Sequence, residues 1–279
     1  SDLIKFTKTI AIANKESIIC GWSLIKKNLK RYKTLFIPVD SEHFSIWSLI
    51  KDEKNNVFEN IYLTASGGPF RKYPFNKFHD ITPAKALKHP NWSMGEKISI
   101  DSATMINKVF EIIEAKKIFN LKYKQLKILI HPKSYLHAIV KYKNGLIKLL
   151  IHDTNMTIPI FNSIYQNHEK NIQSQSLNIN LLNNLNIEQV DMKRFPLVKI
   201  INDLPESDSL FETIIVSAND RLVQKFLNRE ISFLDISKML IKLINLKEFQ
   251  KYKKISTTKI TDITKLSKLV SLKVDTLCI

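Results

Sequence analysis

Apolar and polar positions recur with two different periods along the chain, and the first segment shows both. Residues 8–13 form a short apolar run typical of a buried strand, and residues 17–30 carry apolar side chains at helical spacing. A second apolar run covers residues 34–39. This strand–helix–strand order predicts two parallel strands joined by a crossover helix.

The middle of the chain shows more strand patterns and one longer helix. Residues 102–118 have helical spacing, and residues 69–92 are rich in proline and turn formers. Asn144–Gly145 predicts a hairpin turn between the last two of these strands. The strands are predicted at residues 61–65, 127–131, 138–142 and 146–152.

Beyond residue 165 the pattern changes twice. Residues 166–194 are rich in Asn, Gln and Ser and predict a linker. The rest of the chain has helical spacing with short gaps, which predicts a small antiparallel bundle. Its helices are expected at residues 195–203, 207–216, 218–228, 233–246 and 260–274.

Composition places these elements in a globular protein. The chain has 279 residues, of which 44% are hydrophobic and 25% charged, so wholesale disorder is excluded. No apolar run approaches the ~18 residues of a membrane helix. The cysteines, Cys20 and Cys278, lie at opposite ends of the chain, which predicts a reducing, cytoplasmic setting. Only five glycines are present, and none of their spacings gives a Rossmann fingerprint or a P-loop.

The formal net charge is +17, from 43 basic and 26 acidic residues. Such an excess is typical of nucleic-acid-binding proteins, yet nearly all of it is lysine spread evenly along the chain. Specific base readout favours arginine, and no nucleic-acid-binding signature is present. Attraction of an anionic, phosphorylated small molecule is therefore the better prediction.

Two acidic residues follow the second predicted strand. Asp40 and Glu42 are two positions apart, so in an extended chain their carboxylates point the same way. The carboxyl end of a strand is where open α/β sheets bind ligands, and paired oxygen donors suit Mg²⁺ or Mn²⁺. The simpler interpretation is a solvated acidic turn.

The predicted helix over residues 102–118 adds chemistry to this pair. Thr104, Asn107, Lys108 and Glu111 fall on one face, opposite an apolar face. An amide and an ammonium can bind a phosphate, and Glu111 could be a third carboxylate ligand. Ser102, near the expected helix start, would offer a hydroxyl at the positive helix end. Ordinary surface pairing and capping are the alternatives.

Two loops complete the candidate site. Ser66-Gly67-Gly68 places two glycines where backbone N–H groups could approach an anion, although a plain turn would look the same. His89-Pro90-Asn91-Trp92-Ser93-Met94-Gly95 has the composition of a lid, with a tryptophan to cover a substrate. The histidines of the strand region are more often core residues than ligands. They are His131, His137 and His152.

Together these strings resemble one family. They occur in the order and spacing of the 1-deoxy-D-xylulose 5-phosphate reductoisomerases, which make 2-C-methyl-D-erythritol 4-phosphate in the non-mevalonate isoprenoid pathway. The strings are Ala13-Asn14-Lys15-Glu16-Ser17, Pro38-Val39-Asp40-Ser41-Glu42-His43, Ser66-Gly67-Gly68-Pro69-Phe70, the 89–95 loop, Asp101-Ser102-Ala103-Thr104-Met105, Asn107-Lys108, Ile130-His131-Pro132 and Ser217-Ala218-Asn219.

The resemblance implies a role for each matching residue. Catalytic roles fall to Lys15, Asp40, Glu42 and Glu111. The three acids would bind the metal, and Lys15 would lie close to the substrate's oxygen atoms. Cofactor contacts fall to Asn14, Glu16, Met94 and Gly95. The substrate would be held by Lys15, Ser41, Glu42, Ser66, His89, Trp92, Ser102, Asn107, Lys108, Glu111 and His137.

The implied cofactors are NADPH and Mg²⁺ or Mn²⁺, and the implied partners are a phosphorylated sugar and a second subunit in a homodimer. The expected reaction is a metal-assisted carbon–carbon rearrangement followed by hydride reduction. The fold class expected is α/β: a remnant of a Rossmann-like parallel sheet (residues 1–40), an α+β catalytic domain (41–165), the linker (166–194) and a helical bundle (195–279).

Two departures from the family pattern stand out. Val109 and Phe110 occupy positions where the family usually has glycine and leucine, and we expect Val109 to be packed in the core. The family's Gly-rich NADPH loop precedes the matching strings, whereas this chain begins at Ser1. We therefore expect a segment on the order of a hundred residues to be missing. Without it, weak NADPH binding and an uncovered sheet edge are expected.

Two other functions fit the same residues less well. A metal-dependent sugar-phosphate isomerase or aldolase would use the same carboxylates without a nucleotide. In a basic nucleic-acid-binding module, binding would not depend on Glu111 and would weaken steeply with salt.

Overall fold

The computed structural model describes residues 2–53, 57–165 and 170–278. Its first unit is a two-stranded parallel sheet of β1 (Thr9–Ile12) and β2 (Leu35–Pro38), connected by helix α1 (Lys15–Tyr32). Asn14 caps α1 by accepting a hydrogen bond from the Ser17 amide at 2.8 Å. Trp22 of α1 packs edge-on against Phe36 of β2, which holds the helix on the sheet. The predicted strand–helix–strand unit is confirmed.

A second sheet has five strands in the order β6-β5-β3-β4-β7. Only β3 and β4 are parallel, and the hairpin at Asn144–Gly145 joins β5 to β6 as predicted. The strands are β3 (Phe58–Ala65), β4 (Leu126–Ile130), β5 (Leu136–Tyr142), β6 (Ile147–Ile151) and β7 (Glu188–Gln189).

The helices before and between these strands set the positions of the candidate site. They are α2 (Ser41–Ile50), α3 (Pro83–Ala86), α4 (Glu96–Thr104), α5 (Ile106–Phe119) and α6 (Thr157–Ile164). Helix α5 lies at the centre of the core, where Val109 and Phe110 are fully buried. The expectation for Val109 is confirmed.

One predicted helix is wrong. Residues 102–118 do not form a single helix that starts near Ser102, because α4 ends at Thr104 and α5 begins at Ile106. Met105 lies between them in the left-handed region, with φ of 64°. Its side chain is buried against Ala65 and Ile130, and this packing holds the conformation. Ser102 therefore lies in the last turn of a helix, and the helix-start argument for phosphate binding at Ser102 does not hold.

The C-terminal region is helical, but its boundaries differ from those predicted. Residues 207–216 and 218–228 belong largely to one helix, α8 (Phe211–Leu227), and residues 196–203 form a 3₁₀ helix. The other helices are α7 (Ile179–Asn183), α9 (Phe233–Ile244), α10 (Lys247–Gln250) and α11 (Ile260–Leu277). Part of the predicted linker, residues 166–169, lies outside the described residues. The rest contains α7 and the edge strand β7.

One large core joins the second sheet to the C-terminal helices. Buried side chains of β3, α5, α8 and α9 belong to the same cluster, including Leu63, Phe110, Ile214 and Leu240. Within the part of the chain that the structure describes, no helix combines the length and the apolar character needed to span a membrane.

Candidate active site

A cavity of about 260 Å³ lies between the ends of β2 and β3 and helices α4 and α5. Most residues singled out from the sequence line it. Those residues are Lys15, Asp40, Ser41, Glu42, Ser66, His89, Trp92, Met94, Ser102, Asn107, Lys108, Glu111 and His137.

Three carboxylates meet at one end of this cavity. Oxygen atoms of Asp40, Glu42 and Glu111 lie within 4.8 Å of one another. The expectation that Asp40 and Glu42 converge through extended backbone is wrong, since Asp40 is the N-cap of α2 and Glu42 lies in its first turn. Asp40 accepts a long hydrogen bond from the Glu42 amide at 3.4 Å. The helix start, rather than strand alternation, brings the two carboxylates together.

Two buried ammonium groups lie among these carboxylates. Lys15 Nζ is 3.1 Å from Asp40 Oδ2 and 3.6 Å from Glu111 Oε1. Lys108 Nζ is 2.7 Å from Glu42 Oε1 and 2.5 Å from Glu111 Oε2. Asn107 accepts a hydrogen bond from Lys15 and donates one to Glu111, each at 2.6 Å. Among the residues that line the cavity, three carboxyl groups thus face two ammonium groups.

The pKa values of the acids reflect this imbalance. Burial, followed by repulsion from Glu42, raises the pKa of Glu111 to about 7, although Lys108 and Lys15 oppose the shift. Burial also acts to raise the pKa of Asp40, but Lys15 and His43 outweigh it and hold that pKa well below its usual range. Glu111 is therefore the carboxylate that an added cation would stabilise most.

The donor set suits a divalent cation. All three groups are carboxylates without a sulfur ligand, which is the chemistry that Mg²⁺ and Mn²⁺ prefer. The convergence of three carboxyl groups and the raised pKa of Glu111 both indicate that a cation fits between them.

A second layer lies behind the carboxylates and was not predicted. His43 is fully buried, donates from Nε2 to the Glu111 carbonyl at 2.9 Å, and has Nδ1 3.5 Å from Asp40. Burial would lower the pKa of His43, but Glu114 and Asp40 raise it to about 9. His43 directly follows Glu42 in a motif noted from the sequence, but nothing in that spacing shows that it supports two acids.

Hydroxyl groups line the other end of the cavity. The Ser66 hydroxyl accepts a hydrogen bond from the Gly68 amide at 3.0 Å and lies 3.1 Å from His89 Nε2. Gly68 has φ of +63°, and a Cβ there would meet the Ser102 carbonyl at 2.9 Å. The glycine loop therefore lies directly against the end of α4 that carries Ser102.

The 89–95 loop forms one wall. His89 Nδ1 accepts hydrogen bonds from the amides of Asn91 and Trp92 at 3.2 and 3.0 Å. Burial lowers the pKa of His89 to about 4, so the ring is neutral and its proton lies on Nε2, toward Ser66. The Asn91 side chain donates to the Pro132 carbonyl at 2.7 Å, and the Trp92 ring stands edge-on to His137. The loop is thereby fixed against the strands.

Three residues with expected cofactor roles lie outside the cavity lining. Asn14 and Glu16 line a neighbouring groove between α1, α8 and α11. Gly95 is the N-cap of α4, and a Cβ there would meet no atom within 4 Å. Other lining residues were given no role from the sequence. Ala13, Ser93 and Met105 lie within motifs described above, but no feature of their side chains assigned them a role. Nothing in the local sequence pattern marks the rest, which are Thr64, Ala65, Ile98, Ser134, Leu136 and Met156.

Comparison with known proteins agrees with this geometry. The 1-deoxy-D-xylulose 5-phosphate reductoisomerase C-terminal domain matches residues 36–119, and the DXP reductoisomerase C-terminal domain matches residues 152–270. A 1-deoxy-D-xylulose 5-phosphate reductoisomerase of Pelagibacter ubique is 66% identical over 99% of this chain. The chain belongs to the 1-deoxy-D-xylulose 5-phosphate reductoisomerase family. The expected family is therefore confirmed.

Other members of the reductoisomerase family support the assignment. The enzyme of a Sulfurihydrogenibium species is 37% identical over 87% of the chain. The Zymomonas mobilis enzyme in complex with NADPH superposes with a TM-score of 0.87 at 30% identity, covering 99% of this chain and 69% of that one. A reductoisomerase in complex with NADPH, fosmidomycin and magnesium gives a TM-score of 0.88 at 28% identity, covering 99% of this chain and 71% of that one.

These reductoisomerases are longer than this chain. It spans 71% of the Pelagibacter relative and 64% of the Sulfurihydrogenibium relative. The expected α/β fold class and the expectation of an enzyme are confirmed. NADPH is named in structures of family members, which favours the reductoisomerase over the isomerase without a nucleotide. The nucleic-acid-binding alternative is likewise not favoured.

Proposed function

We propose that this chain carries the metal- and substrate-binding part of a reductoisomerase that converts 1-deoxy-D-xylulose 5-phosphate to 2-C-methyl-D-erythritol 4-phosphate with NADPH. One observation carries the proposal: a single cavity has three converging carboxylates at one end and serine hydroxyls at the other. Such a cavity can hold the oxygen atoms of a keto sugar at one end and its phosphate at the other.

Asp40, Glu42 and Glu111 are the proposed ligands of Mg²⁺ or Mn²⁺. When bound, the cation supplies Lewis acidity for a ketone and its neighbouring hydroxyl. Lys15, whose ammonium donates to the Asn107 side chain at 2.6 Å, would orient the substrate oxygens beside it. Lys108 carries a proposed phosphate role, yet its ammonium lies between Glu42 and Glu111 in this structure. A cation bound to these carboxylates would compete with the Lys108 ammonium. It would favour a conformation in which Lys108 contacts the phosphate.

The hydrogen bonds of Ser66 support the assignment of one end of the cavity to the phosphate. Its oxygen accepts from the Gly68 amide and faces the protonated Nε2 of His89, so its own proton is directed elsewhere. We propose that this proton is donated to a phosphate oxygen, with Ser102 and Asn107 as further donors. Phosphate binding remote from the reacting carbons supplies energy for orientation.

Trp92 and His137 would form the cover over the carbon skeleton. The neutral imidazole and the indole ring exclude water from the space between the two ends of the cavity. Met94, at the edge of the same cavity, would face the nicotinamide together with Gly95, and Ser41 would contact the substrate oxygens beside Glu42. Asn14 and Glu16 would contact the cofactor from the turn before α1.

The domain division and assembly complete the proposal. Strands β1 and β2 form a separate two-stranded sheet with α1, which supports the assignment of residues 1–40 to the end of a nucleotide-binding domain. Residues 41–165 would be the catalytic domain, residues 166–194 its linker, and residues 195–279 the helical domain. We further propose a cytoplasmic homodimer, and sedimentation of the purified chain measures its oligomeric state.

Binding of fosmidomycin in the presence of Mg²⁺ tests the metal and phosphate ends together. We expect saturable, Mg²⁺-dependent binding by calorimetry, and loss of at least about a hundredfold in affinity for Glu111→Gln. Glu188→Gln, which changes a surface partner of Arg71, is the matched control and should bind normally. Absence of binding by the unaltered chain would overturn the proposed site. Substrate- and Mg²⁺-dependent oxidation of NADPH would extend the result to the whole reaction.

A further inference from the structure

Lys97 of α4 lies at the centre of a polar cluster outside the cavity lining. Its ammonium nitrogen is 2.6 Å from Glu16, 2.8 Å from Asp101 and 3.1 Å from Asp220. These three carboxylates come from the first turn of α1, from α4 itself and from α8. A single side chain thus links three segments that are distant in the sequence.

Asp101 is the most constrained member of this cluster. Its side chain is 2% exposed, and its oxygens accept one hydrogen bond from Lys97 and one from the side-chain Nδ2 of Asn219 at 2.7 Å. A buried carboxylate is costly unless both oxygens are bonded, and here burial still raises the pKa of Asp101. Asp101 directly precedes Ser102, so these bonds fix the backbone that carries the Ser102 hydroxyl. The hydrogen bond from Asn219 also gives the Ser217-Ala218-Asn219 motif a structural role.

The contact with Glu16 extends the cluster to the turn before α1. Glu16 accepts from Lys97 and also from the Asn14 side chain at 3.1 Å. The residue between them, Lys15, reaches in the other direction to Asp40 at 3.1 Å. The 14–16 turn is therefore held from two sides, by the acid cluster in the cavity and by Lys97 behind it.

We propose that Lys97, together with Asp101 and Asn219, is a positioning residue that keeps the 14–16 turn at a fixed distance from the helix carrying Ser102. What those two segments bind rests on the proposed function. Lys97 itself does not line the cavity. Its effect is to hold the cofactor-side turn and the phosphate-side helix in one geometry, which matters because small misplacements of reacting groups are costly.

Hydrogen exchange of the unliganded chain tests the positioning directly. In Lys97→Met we expect faster amide exchange in two segments together, residues 13–21 and 98–107. Lys97→Arg should restore most of the protection in both. Lys141→Met, which removes a comparably exposed surface lysine paired with Glu59, should change neither segment. Unchanged exchange in both segments of Lys97→Met overturns the proposal. An equal loss across β3 and β5 also overturns it, since Lys97 would then serve general stability.

Fosmidomycin binding with Mg²⁺ provides the functional readout. We expect affinity about tenfold weaker in Lys97→Met, with recovery in Lys97→Arg and no change in Lys141→Met. Affinity unchanged in Lys97→Met contradicts an effect on the phosphate side. If the unaltered chain does not bind fosmidomycin, the proposed function fails, whereas the exchange measurement still decides whether Lys97 positions the two segments.

Discussion

Glu111 illustrates what a single residue contributes to this cavity. Its side chain is 2% exposed and lies beside two other carboxylates. The same helix, α5, also supplies apolar side chains to the core. Two lysines and one asparagine contact it, but they do not remove the repulsion from Glu42. A residue in this position is costly for folding, and the cation proposed to bind it would offset that cost.

The first prediction follows from this electrostatic imbalance. Millimolar Mg²⁺ should raise the melting temperature of the unaltered chain, because a ligand that binds only the folded state stabilises it. Glu111→Gln should fold but lose most of this Mg²⁺-dependent increase, since one of three ligands is gone. Differential scanning fluorimetry with and without Mg²⁺ measures both, and an equal increase in the two proteins would contradict the metal assignment.

His137 gives a pH dependence with a definite sign. Burial, followed by the stacked ring of His152 at 3.7 Å, lowers the pKa of His137 to about 4. In the unfolded chain its pKa is about 6.5, so between these values the unfolded state binds more protons. Stability from this group is complete above about pH 6.5 and is lost as the pH falls toward 4.

We therefore expect His137→Asn to be less sensitive to acid than the unaltered chain. The loss of unfolding free energy between pH 7.5 and pH 5 should be smaller in the variant by about 2 kcal/mol. Urea unfolding at both pH values measures this difference. Histidines away from this ring pair, such as His89, contribute equally to both proteins, and identical losses would show that His137 does not titrate in this way.

At the scale of single elements, the glycine loop between β3 and the 3₁₀ helix Phe75–Asp80 shows how backbone conformation sets a contact. Gly68 combines a positive φ with close approach to the carbonyl of Ser102, so the loop and the end of α4 lie against each other. Gly145, in the hairpin between β5 and β6, has φ of +88°, but a Cβ at this position would meet no atom within 4 Å. A substitution at Gly145 therefore tests backbone strain alone, whereas a substitution at Gly68 tests backbone strain together with a steric clash.

Alanine substitution at these two glycines should give different results. Gly145→Ala should cost about 1–2 kcal/mol in unfolding free energy from strain alone. Gly68→Ala should cost more and should also weaken fosmidomycin binding, since the loop must move away from Ser102. Urea unfolding and calorimetry together decide this, and normal fosmidomycin affinity in Gly68→Ala would refute the link between the loop and the phosphate end.

At the scale of the whole molecule, the C-terminal helices and the second sheet share one core. Leu240 of α9 is fully buried in that core, whereas Leu272 of α11 is 65% exposed. The tryptophans, Trp22, Trp47 and Trp92, all lie outside the C-terminal helices. Fluorescence therefore reports on the part of the chain before the C-terminal helices, whereas helical circular dichroism includes the C-terminal helices as well.

We expect these two signals to unfold in one transition, because packing across the shared core couples the two parts. Leu240→Ala should lower the unfolding free energy seen by both signals by about 2–5 kcal/mol. Leu272→Ala should change it by less than about 0.5 kcal/mol. Separate midpoints for fluorescence and circular dichroism in the unaltered chain would show that the helices form an independent unit.

The strands and most helices could be predicted because their apolar periods are local properties of the chain. The break at Met105 could not, since an apolar residue fits a helical pattern as well as it fits the buried left-handed position that Met105 adopts. The pattern likewise predicts two helices where α8 is one, because the buried side chains of α8 extend over more than one face.

The sequence by itself determined the family, the order of the elements and the residue types of the site, since motif spacing and hydrophobic period survive without coordinates. Only the tertiary structure decided which charges meet. Motif spacing singled out Lys15 and Lys108 but not Lys97, and it did not show which carboxylates any of these lysines meets. The fold places two of them among the cavity carboxylates and one behind them. The physical reason is that ion pairing and desolvation depend on distances across packed elements, which no local pattern specifies.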